Sequence, residues 1–340
     1  MPEIKVGVTP DFGDDATMRT LGLEELVSNG RFDVRRVADE SFVAPADIDD
    51  LDVLVVRRGS VTEESVAGAS RLALVARWGV GYDNIDIPAC TRRGIPVTIT
   101  PQGTTTAMAS SNVTFVLAAA HRLRTKDLLL RAGRWSDAGD YTGTGLTGRT
   151  LGSVGLGRIA RETFRLMRPF GMRFVAHDPH VAAGTVADVS MVGLEELARQ
   201  SDFICVNAAL STDTRHLIGR EFFEHVRPGA YLVNVSRGAI VNEHALVDAV
   251  RSGTLAGAAL DVFEREPLEP DSPLLSLDEV VLTPHSIGWT DELYRDNGRG
   301  VMAAVAAVLA GRQPEYVVNP MVFEQAGLQE RLRNLASRGL

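Results

Sequence analysis

The 340-residue sequence is poor in cysteine, and its apolar runs are short. Cys90 and Cys205 are the only cysteines and lie outside any paired metal or redox motif. Two reduced thiols are the simpler interpretation, although the sequence alone also allows a disulfide. The longest apolar run, Val301 to Ala310, is too short to span a bilayer, and no apolar stretch typical of a signal peptide follows Met1. These absences predict a soluble, cytoplasmic protein.

Basic residues are also fewer than acidic residues. Lys and Arg sum to 35 against 44 Asp and Glu, so the formal net charge is −9. An acidic surface repels phosphate backbones, and no nucleic-acid partner is expected. The Gly-x-Ser-x-Gly elbow of α/β-hydrolases is missing. His177 and His180 flank Asp178, but no cysteine or acidic cluster completes a ligand set, so no metal is expected.

Short β-branched runs alternate with helix-length segments along the whole chain. This pattern is typical of βαβ units, in which parallel strands are joined by helices. The sequence therefore predicts an α/β fold with two Rossmann-like or flavodoxin-like parallel-sheet domains and a cleft between them. The predicted strands are Ile4–Val8, Asp33–Val37, Val53–Arg57, Leu72–Ala76, Pro96–Thr100, Thr150–Val154, Phe174–His177, Phe203–Asn207, Tyr231–Val235, Ala258–Val262 and Val280–Thr283.

Helical patterns fill the intervals between these strands. A long apolar helix is predicted from Thr106 to about Leu123, followed by a loop from Arg131 to Gly148. The tail from Met321 to Leu340 is predicted to form one amphipathic helix. Further helices are predicted at Arg158–Phe170, Leu194–Arg199, Arg220–His225 and Glu243–Ser252, the last capped by Asn242.

The strongest local motif is a glycine-rich turn at residues 152–160. Gly155, Gly157 and Ala160 match the G-x-G-x-x-G/A dinucleotide fingerprint, in which small residues permit a tight turn and a close approach of pyrophosphate. The next strand ends at Asp178, 21 residues after Gly157, where a carboxylate binds ribose hydroxyls and repels a 2′-phosphate. The motif predicts NAD binding, and the alternative is a tight turn without a ligand.

Three charged residues follow, each near the end of a predicted strand: Arg237, Glu266 and His285. Carboxyl ends of parallel strands share one edge of a sheet, which is where such sheets bind ligands. Hydride transfer to a 2-oxo acid needs a cation for the carboxylate, a proton donor and a group that orients the donor. Taken singly, each residue could be an ordinary surface or strand-end residue, but their order after a dinucleotide turn favours catalysis.

From about Val55 to Pro320 the sequence resembles the D-isomer-specific 2-hydroxyacid dehydrogenases. The resemblance rests on the motif Gly-Val-Gly-Tyr-Asp-Asn-Ile-Asp at 79–86, on the glycine-rich turn, and on the Arg237, Glu266 and His285 segments in that order.

The resemblance implies a role for each of these residues. His285 would be the general acid and base, and Glu266 would accept a hydrogen bond from its ring and favour the imidazolium form. Arg237 would bind the substrate carboxylate and polarise the 2-oxo group. Backbone N–H groups of Val80 and Gly81 would hold the other carboxylate oxygen.

The resemblance also implies NAD as the cofactor, a small 2-oxo or 2-hydroxy acid as the substrate and a homodimer as the assembly. Asp178 would bind the ribose, and Asp261 would hold the nicotinamide carboxamide. The remaining expected cofactor contacts are Thr105, Gly155, Gly157, Arg158 and Ile159.

Several residues bear on the choice of substrate. Formate-oxidising relatives place Gln where this chain has Glu266, and phosphite-oxidising relatives place Lys where it has Val80, so neither substrate is expected. Trp289 could wall the pocket or simply pack. Arg57 and Arg58 could face the cleft and bind a second anion or hydroxyls, or could form a solvated strand end.

The expected domain boundaries follow from the motifs. Residues 1–105 and 291–340 would form a discontinuous substrate-binding domain, and residues 106–290 the NAD-binding Rossmann domain. One alternative function stays open, an NAD(H)-sensing binding protein without physiological turnover, as in related transcriptional corepressors. The sequence does not specify the physiological acid or the direction of its conversion.

Overall fold

A computed structural model describes residues 4–39 and 41–339. Residues 1–3, residue 40 and Leu340, the last residue of the predicted tail helix, lie outside the described residues. The chain forms two compact units. The first, here called unit 1, runs to Thr104 and resumes at Trp289, and unit 2 is Thr105–Gly288.

Unit 1 is built on a five-stranded parallel sheet with the strand order β2-β1-β3-β4-β5, the order of flavodoxin-like folds. The central strand β3 is a run of four apolar residues, all fully buried, as expected for a strand covered on both faces. The strands are β1 (Ile4–Val8), β2 (Phe32–Arg36), β3 (Val53–Val56), β4 (Leu74–Arg77) and β5 (Val97–Thr98).

The C-terminal segment completes unit 1. Its two helices, α11 (Asp291–Leu309) and α12 (Ala326–Gly339), pack on β4 and β1 respectively. Arg338 near the chain end pairs with the buried carboxylate of Asp52. Asn319 accepts the N–H of Val97 in β5 at 2.9 Å and donates to the carbonyl of Ile95 at 3.0 Å. The fold of residues 4–104 therefore depends on contacts with residues 289–339.

Unit 2 is built on a seven-stranded parallel sheet in the order β12-β11-β10-β9-β6-β7-β8. Read from the other edge, this is the doubly wound Rossmann order with one further strand. The prediction of two α/β domains built on parallel sheets is confirmed. The strands are β6 (Thr150–Val154), β7 (Arg173–His177), β8 (Val189–Met191), β9 (Phe203–Val206), β10 (Ala230–Asn234), β11 (Leu255–Leu260) and β12 (Val280–Leu282).

Helices connect the strands of both units. Asn242 caps α10 as predicted, because its side-chain oxygen accepts the N–H of Ala245 at 2.9 Å. The other helices are α1 (Asp15–Thr20), α2 (Glu24–Ser28), α3 (Pro45–Ile48), α4 (Ile87–Arg92), α5 (Pro101–Ala120), α6 (Leu123–Arg131), α7 (Arg158–Met167), α8 (Leu194–Gln200) and α9 (Arg220–His225), and α10 itself is Glu243–Arg251.

The predicted helix from Thr106 to Leu123 has different bounds in the structure. Pro101 starts it earlier, at a position where proline is favoured, and it ends at Ala120. Arg122 adopts a left-handed conformation with φ 50°, which separates α5 from α6. The predicted loop from Arg131 to Gly148 also contains a 3₁₀ helix at Trp135–Tyr141.

The prediction of one continuous tail helix starting at Met321 is wrong for its first residues. A 3₁₀ helix at Pro320–Glu324 precedes α12, and Gln325 between them is extended, with its side chain donating to the carbonyl of Thr91 at 2.9 Å. The sequence analysis also missed β8, a three-residue edge strand that is too short for its alternation to stand out.

Cys90 and Cys205 are both free and buried. Burial raises the pKa of each thiol to about 12, so neither is a nucleophile at neutral pH. No helix within the described residues combines the length and apolar character needed to cross a membrane.

Candidate active site

The glycine-rich turn joins β6 to α7 in unit 2. Gly155 has φ 92°, and a Cβ there would lie 2.7 Å from the backbone nitrogen of Ala208, so only glycine fits. A Cβ at Gly157 would meet nothing within 4 Å. No side chain caps the N-terminus of α7, where Gly157 is the cap residue and Ala160 is fully buried. A turn with open space in front of an uncapped helix end fits the pyrophosphate of a dinucleotide.

A buried polar network fixes this turn from below. Ser153 donates to the carbonyl of Gly155 at 2.7 Å and accepts from the amide of Asn207 at 2.9 Å. Asn112, fully buried on α5, donates to Asn207 at 2.9 Å and to Thr163 at 3.2 Å. The sequence analysis missed this network. Asn112 follows Ser110 and Ser111 in the sequence, so no local signal distinguished it as the member of a buried network.

Asp178 follows β7 and lies beside the turn. Its Oδ2 accepts the N–H of Leu156 at 2.8 Å, and its Oδ1 accepts the N–H of His180 at 2.9 Å. The side chain is half-buried. Asp178 therefore bonds directly to the glycine-rich turn, and each of its oxygens keeps a second lone pair for a further donor.

His285 and Glu266 form a hydrogen-bonded pair at the carboxyl edge of the same sheet. His285 Nδ1 lies 2.7 Å from Glu266 Oε2, and Glu266 Oε1 accepts the N–H of Phe263 at 3.0 Å. A carboxylate only accepts, so Nδ1 carries the hydrogen and Nε2 remains for proton exchange. Burial raises the pKa of Glu266, but the hydrogen bond and charge of His285, the Phe263 N–H and the charge of Arg237 bring it below its ordinary value.

Arg237 follows β10 and is held close to this pair. Its neighbour Gly238 packs directly against Phe263, where a Cβ would lie 1.8 Å from the backbone carbon. Asn234 shapes the loop by donating to the Arg237 carbonyl at 3.0 Å, and the guanidinium donates from Nη1 to the Ser236 carbonyl at 2.8 Å. Because the two loops lie this close together, the positive charge of Arg237 helps to lower the pKa of Glu266.

Asp261 follows β11 and is almost fully buried. Its Oδ1 accepts three hydrogen bonds, from the Thr283 hydroxyl at 2.6 Å, the Ser286 N–H at 2.8 Å and the Ile287 N–H at 3.0 Å. Its Oδ2 accepts none from the described residues. Burial raises the pKa of Asp261, and these hydrogen bonds oppose the rise without cancelling it. One oxygen thus anchors the segment that carries His285, and the other stays available.

The other predicted cofactor contacts lie on helices of unit 2. Thr105 is in the second turn of α5, and Arg158 and Ile159 form the first turn of α7, immediately after the glycine-rich turn. Arg158 is exposed and Ile159 is partly buried. Within the described residues, no group of three or more His, Cys, Asp and Glu side chains could hold a metal ion.

Val80 and Gly81 lie in unit 1, in the loop after β4. Gly79, with φ 127°, is the second residue of this loop, and Thr100 holds the loop by accepting the Gly79 N–H at 2.7 Å. The Gly81 carbonyl accepts from Arg77 Nε at 2.7 Å. Neither Val80 nor Gly81 donates its N–H to another described residue, so both are available to an anion.

Arg57 in unit 1 is clamped between two indole rings. Its guanidinium carbon lies 5.3 Å from the Trp78 ring centroid and 4.9 Å from that of Trp289. Only 12% of the Arg57 side chain is exposed, so Arg57 is not a solvated residue at the end of a strand, which was one of its two interpretations. Burial lowers the pKa of its guanidinium group. Asp11 lies 3.8 Å away, and its Oδ2 is buried without a hydrogen bond. Arg58 is exposed, and its guanidinium carbon lies 5.9 Å from the centroid of the Trp289 ring.

Comparisons with known proteins bear on this arrangement. A family profile described as the NAD-binding domain of D-isomer specific 2-hydroxyacid dehydrogenases matches residues 113–286. A glyoxylate reductase from Korarchaeum cryptofilum is 38% identical over 283 residues, which cover 82% of this chain and 85% of the relative.

A D-3-phosphoglycerate dehydrogenase from Methanocaldococcus jannaschii is 38% identical over 276 residues, which cover 80% of this chain and 52% of the relative. The chain therefore spans about half the length of that relative. Among solved structures, a protein from Thermus thermophilus superposes with a TM-score of 0.81 at 32% identity, over 92% of this chain and 99% of the other.

Proposed function

The chain belongs to the D-isomer-specific 2-hydroxyacid dehydrogenase family, and on that premise we propose that it interconverts a small 2-oxo acid and its D-2-hydroxy acid with NAD(H). The observation that carries this proposal is the His285–Glu266 pair. It lies beside Arg237 on the sheet edge that also bears the dinucleotide turn. Unit 2 is assigned to cofactor binding and unit 1 to substrate recognition.

The chain's own residues supply the proton chemistry. The nicotinamide, when bound, supplies a hydride for the carbonyl carbon in the reductive direction. His285 donates a proton from Nε2 to the carbonyl oxygen, and Glu266 orients the ring and stabilises the imidazolium form through Nδ1. In the oxidative direction neutral His285 accepts the hydroxyl proton at the same nitrogen. After each reductive turnover His285 takes up a proton from solvent, and after each oxidative turnover it releases one to solvent, so each cycle restores its starting state.

Substrate binding is assigned to groups that match a carboxylate. Arg237 offers a planar fork of donors, which suits two carboxylate oxygens better than the point charge of lysine. The N–H groups of Val80 and Gly81 are the expected second set of donors. The guanidinium group of Arg57 is expected to favour substrates that carry an additional hydroxyl or anionic group. Trp289, whose ring contacts this guanidinium, is expected to disfavour substrates with branched side chains.

The expected cofactor is NAD rather than NADP. Asp178 places a carboxylate next to the glycine-rich turn, and no arginine follows it in the sequence Asp178-Pro179-His180. A 2′-phosphate there would meet a negative charge without a compensating cation. Asp261 Oδ2 is the expected acceptor for the nicotinamide carboxamide, and Thr105, Arg158 and Ile159 line the rest of the expected site.

A homodimer is the expected assembly. The segment from α6 into the following 3₁₀ helix exposes large apolar side chains, and Trp135 is 78% exposed. Apolar residues concentrated in so short a segment are typical of an interface between subunits. The exposed residues are Leu123, Leu128, Leu130 and Trp135.

A substrate panel at fixed NADH tests the proposed function. Glyoxylate, hydroxypyruvate, pyruvate and a branched 2-oxo acid are compared by kcat/KM, with formate and phosphite plus NAD as controls. We expect the small polar acids to be reduced best and Arg237→Lys to lose at least about tenfold in kcat/KM, since a point charge cannot replace the fork. Binding of NADH without turnover of any acid would instead support a dinucleotide-sensing protein.

A further inference from the structure

Unit 2 contains a large cavity at the amino edge of its sheet. Its volume is about 770 Å³, within the range of small-molecule sites. Most residues around it lie before a strand or in its first half, and Arg173 is the first residue of β7. Its polar lining is formed by Thr150, Arg168, Arg173, Asp188, Ser190, Gln200 and Arg227.

This cavity is separate from the candidate active site. Asp178, Arg237 and Asp261 all follow the carboxyl ends of their strands, whereas the cavity lies at the amino ends. Five residues of a strand such as β6 span roughly 15 Å at about 3.3 Å per residue. A ligand in this cavity therefore does not contact the dinucleotide turn.

The cavity is electropositive in a chain whose net charge is −9. Asp202 beneath it is already shared by two arginines, with Arg149 at 3.0 Å and Arg227 at 3.3 Å, and its Oδ2 accepts the Thr150 N–H at 2.8 Å. One buried carboxylate thus faces two guanidinium groups. Arg227, which lines the cavity, therefore shares its carboxylate partner with a second arginine that lies outside the lining.

The two other arginines of the lining are even less engaged. Arg173 is exposed and has no side-chain hydrogen bond or ion pair with any described residue. Arg168 has one weak contact, to the Ala187 carbonyl at 3.4 Å. Asp188 is the one acidic residue of the lining, and it forms no ion pair within the described chain. The donors of Arg168 and Arg173 are therefore open toward the cavity.

We propose that this cavity binds a small molecule carrying two or more phosphate groups. Guanidinium forks match phosphate oxygens bidentately, and Arg168 and Arg173, which form no ion pair within the described residues, carry more charge than a single monoanion can neutralise. The volume also exceeds that of one phosphate ion and suits a phosphorylated metabolite or nucleotide. The cavity is bounded by Met172 and Phe174 on the sheet side, which gives such a ligand an apolar surface as well.

Calorimetric titration of the full chain with pyrophosphate tests this proposal. Saturating NADH is present throughout, so the glycine-rich turn cannot serve as the phosphate site. We expect one site per chain, and Arg173→Gln and Arg168→Gln should each weaken binding by about tenfold, as loss of a charged hydrogen bond does. Arg220→Gln is the matched control, because Arg220 is an exposed arginine on α9 outside the lining.

Three results would overturn the proposal. One is the absence of pyrophosphate binding to the wild-type chain at millimolar concentration. Another is unchanged affinity in both Arg173→Gln and Arg168→Gln. The third is binding of citrate or inorganic phosphate as tight as that of pyrophosphate, because the site would then recognise charge alone. Unfolding midpoints of the variants equal to wild type would confirm that any loss is local.

Discussion

His285 Nδ1 lies 2.7 Å from Glu266 Oε2, while the other oxygen of Glu266 accepts the backbone N–H of Phe263 at 3.0 Å. Glu266 is therefore tied to the backbone on one side and to the imidazole on the other. His285 itself adopts φ 52°, a conformation that Asp261 helps to hold by accepting the N–H of Ser286. The imidazole is thus oriented before any substrate binds.

Removing the imidazole should remove proton transfer. His285→Ala is expected to lower kcat by about 10²–10⁴-fold in both directions, because general acid–base catalysis typically contributes that much. Steady-state kinetics with the best acid of the panel measure it. His244→Ala, at an exposed position on α10, is the matched control and should keep wild-type kcat. Near-normal turnover of His285→Ala would exclude this residue from the mechanism.

The pH dependence should separate the two partners. Reduction needs the imidazolium form and should fall at high pH, whereas oxidation needs the neutral ring and should fall at low pH. Glu266→Gln keeps a hydrogen-bond acceptor but removes the charge that favours imidazolium, so the alkaline limb of reduction should move to lower pH. Rate profiles of wild type and variant are compared. Identical alkaline limbs would mean that the negative charge of Glu266 does not act on His285, which would leave only the hydrogen bond that orients the ring.

Asp178 should set the preference for NAD over NADP. Asp178→Asn retains an oxygen that can accept the Leu156 N–H, so the turn stays ordered while the charge is lost. We expect the ratio of kcat/KM for NADH over NADPH to fall by about 10–100-fold, equivalent to about 1–3 kcal/mol. Kinetics with both cofactors give the ratio. A wild-type chain that used NADPH equally well would contradict the assignment.

Ionisation of Asp261 should make the free energy of unfolding depend on pH. Burial raises the pKa of Asp261 in the folded state above its unfolded value of about 3.9. The protonated form therefore contributes its full stability below about pH 3.9, and this contribution is lost as the pH rises through the folded-state pKa. Asp261→Asn keeps the acceptor oxygen and does not titrate. Urea unfolding at several pH values should therefore show the variant gaining stability relative to wild type as the pH rises from about 4. A constant difference would contradict this.

Trp135 should anchor the expected dimer. Trp135→Lys places a charge on the most exposed aromatic side chain of the apolar segment and should weaken dimerisation by about tenfold or more. Sedimentation equilibrium over a concentration series measures the dissociation constant. Met321→Lys is the control, because Met321 is comparably exposed but lies outside that segment. Equal weakening by both variants would point to a general effect of charge.

Strand ends were the most informative feature of the sequence. Arg237, Asp261 and His285 are far apart in the chain, yet the parallel sheet brings them to one edge because each follows a strand. The sequence could not specify which atoms meet. The His285–Glu266 hydrogen bond depends on two irregular loops, whose conformations no periodic pattern encodes.

Long-range polar contacts were invisible in the sequence for a different reason. Asn112 and Asn207 are 95 positions apart, and nothing local in either segment predicts that they meet beneath the turn. The indole clamp on Arg57 likewise joins three separate segments of unit 1, with Trp78 and Trp289 each in contact with the guanidinium. The break at Arg122 escaped prediction because arginine is a good helix former and rarely adopts φ 50°.

The interrupted course of unit 1 constrains how the polypeptide matures on the ribosome. Unit 2 is continuous from Thr105 to Gly288 and can fold once it has emerged, while β1 to β5 wait for α11 and α12 to be synthesised. During that interval Asp52 lacks Arg338, and the backbone of Val97 lacks Asn319. A released chain that ends before Trp289 should therefore present a protease-resistant C-terminal portion behind a protease-sensitive N-terminal one, the reverse of ordinary vectorial folding.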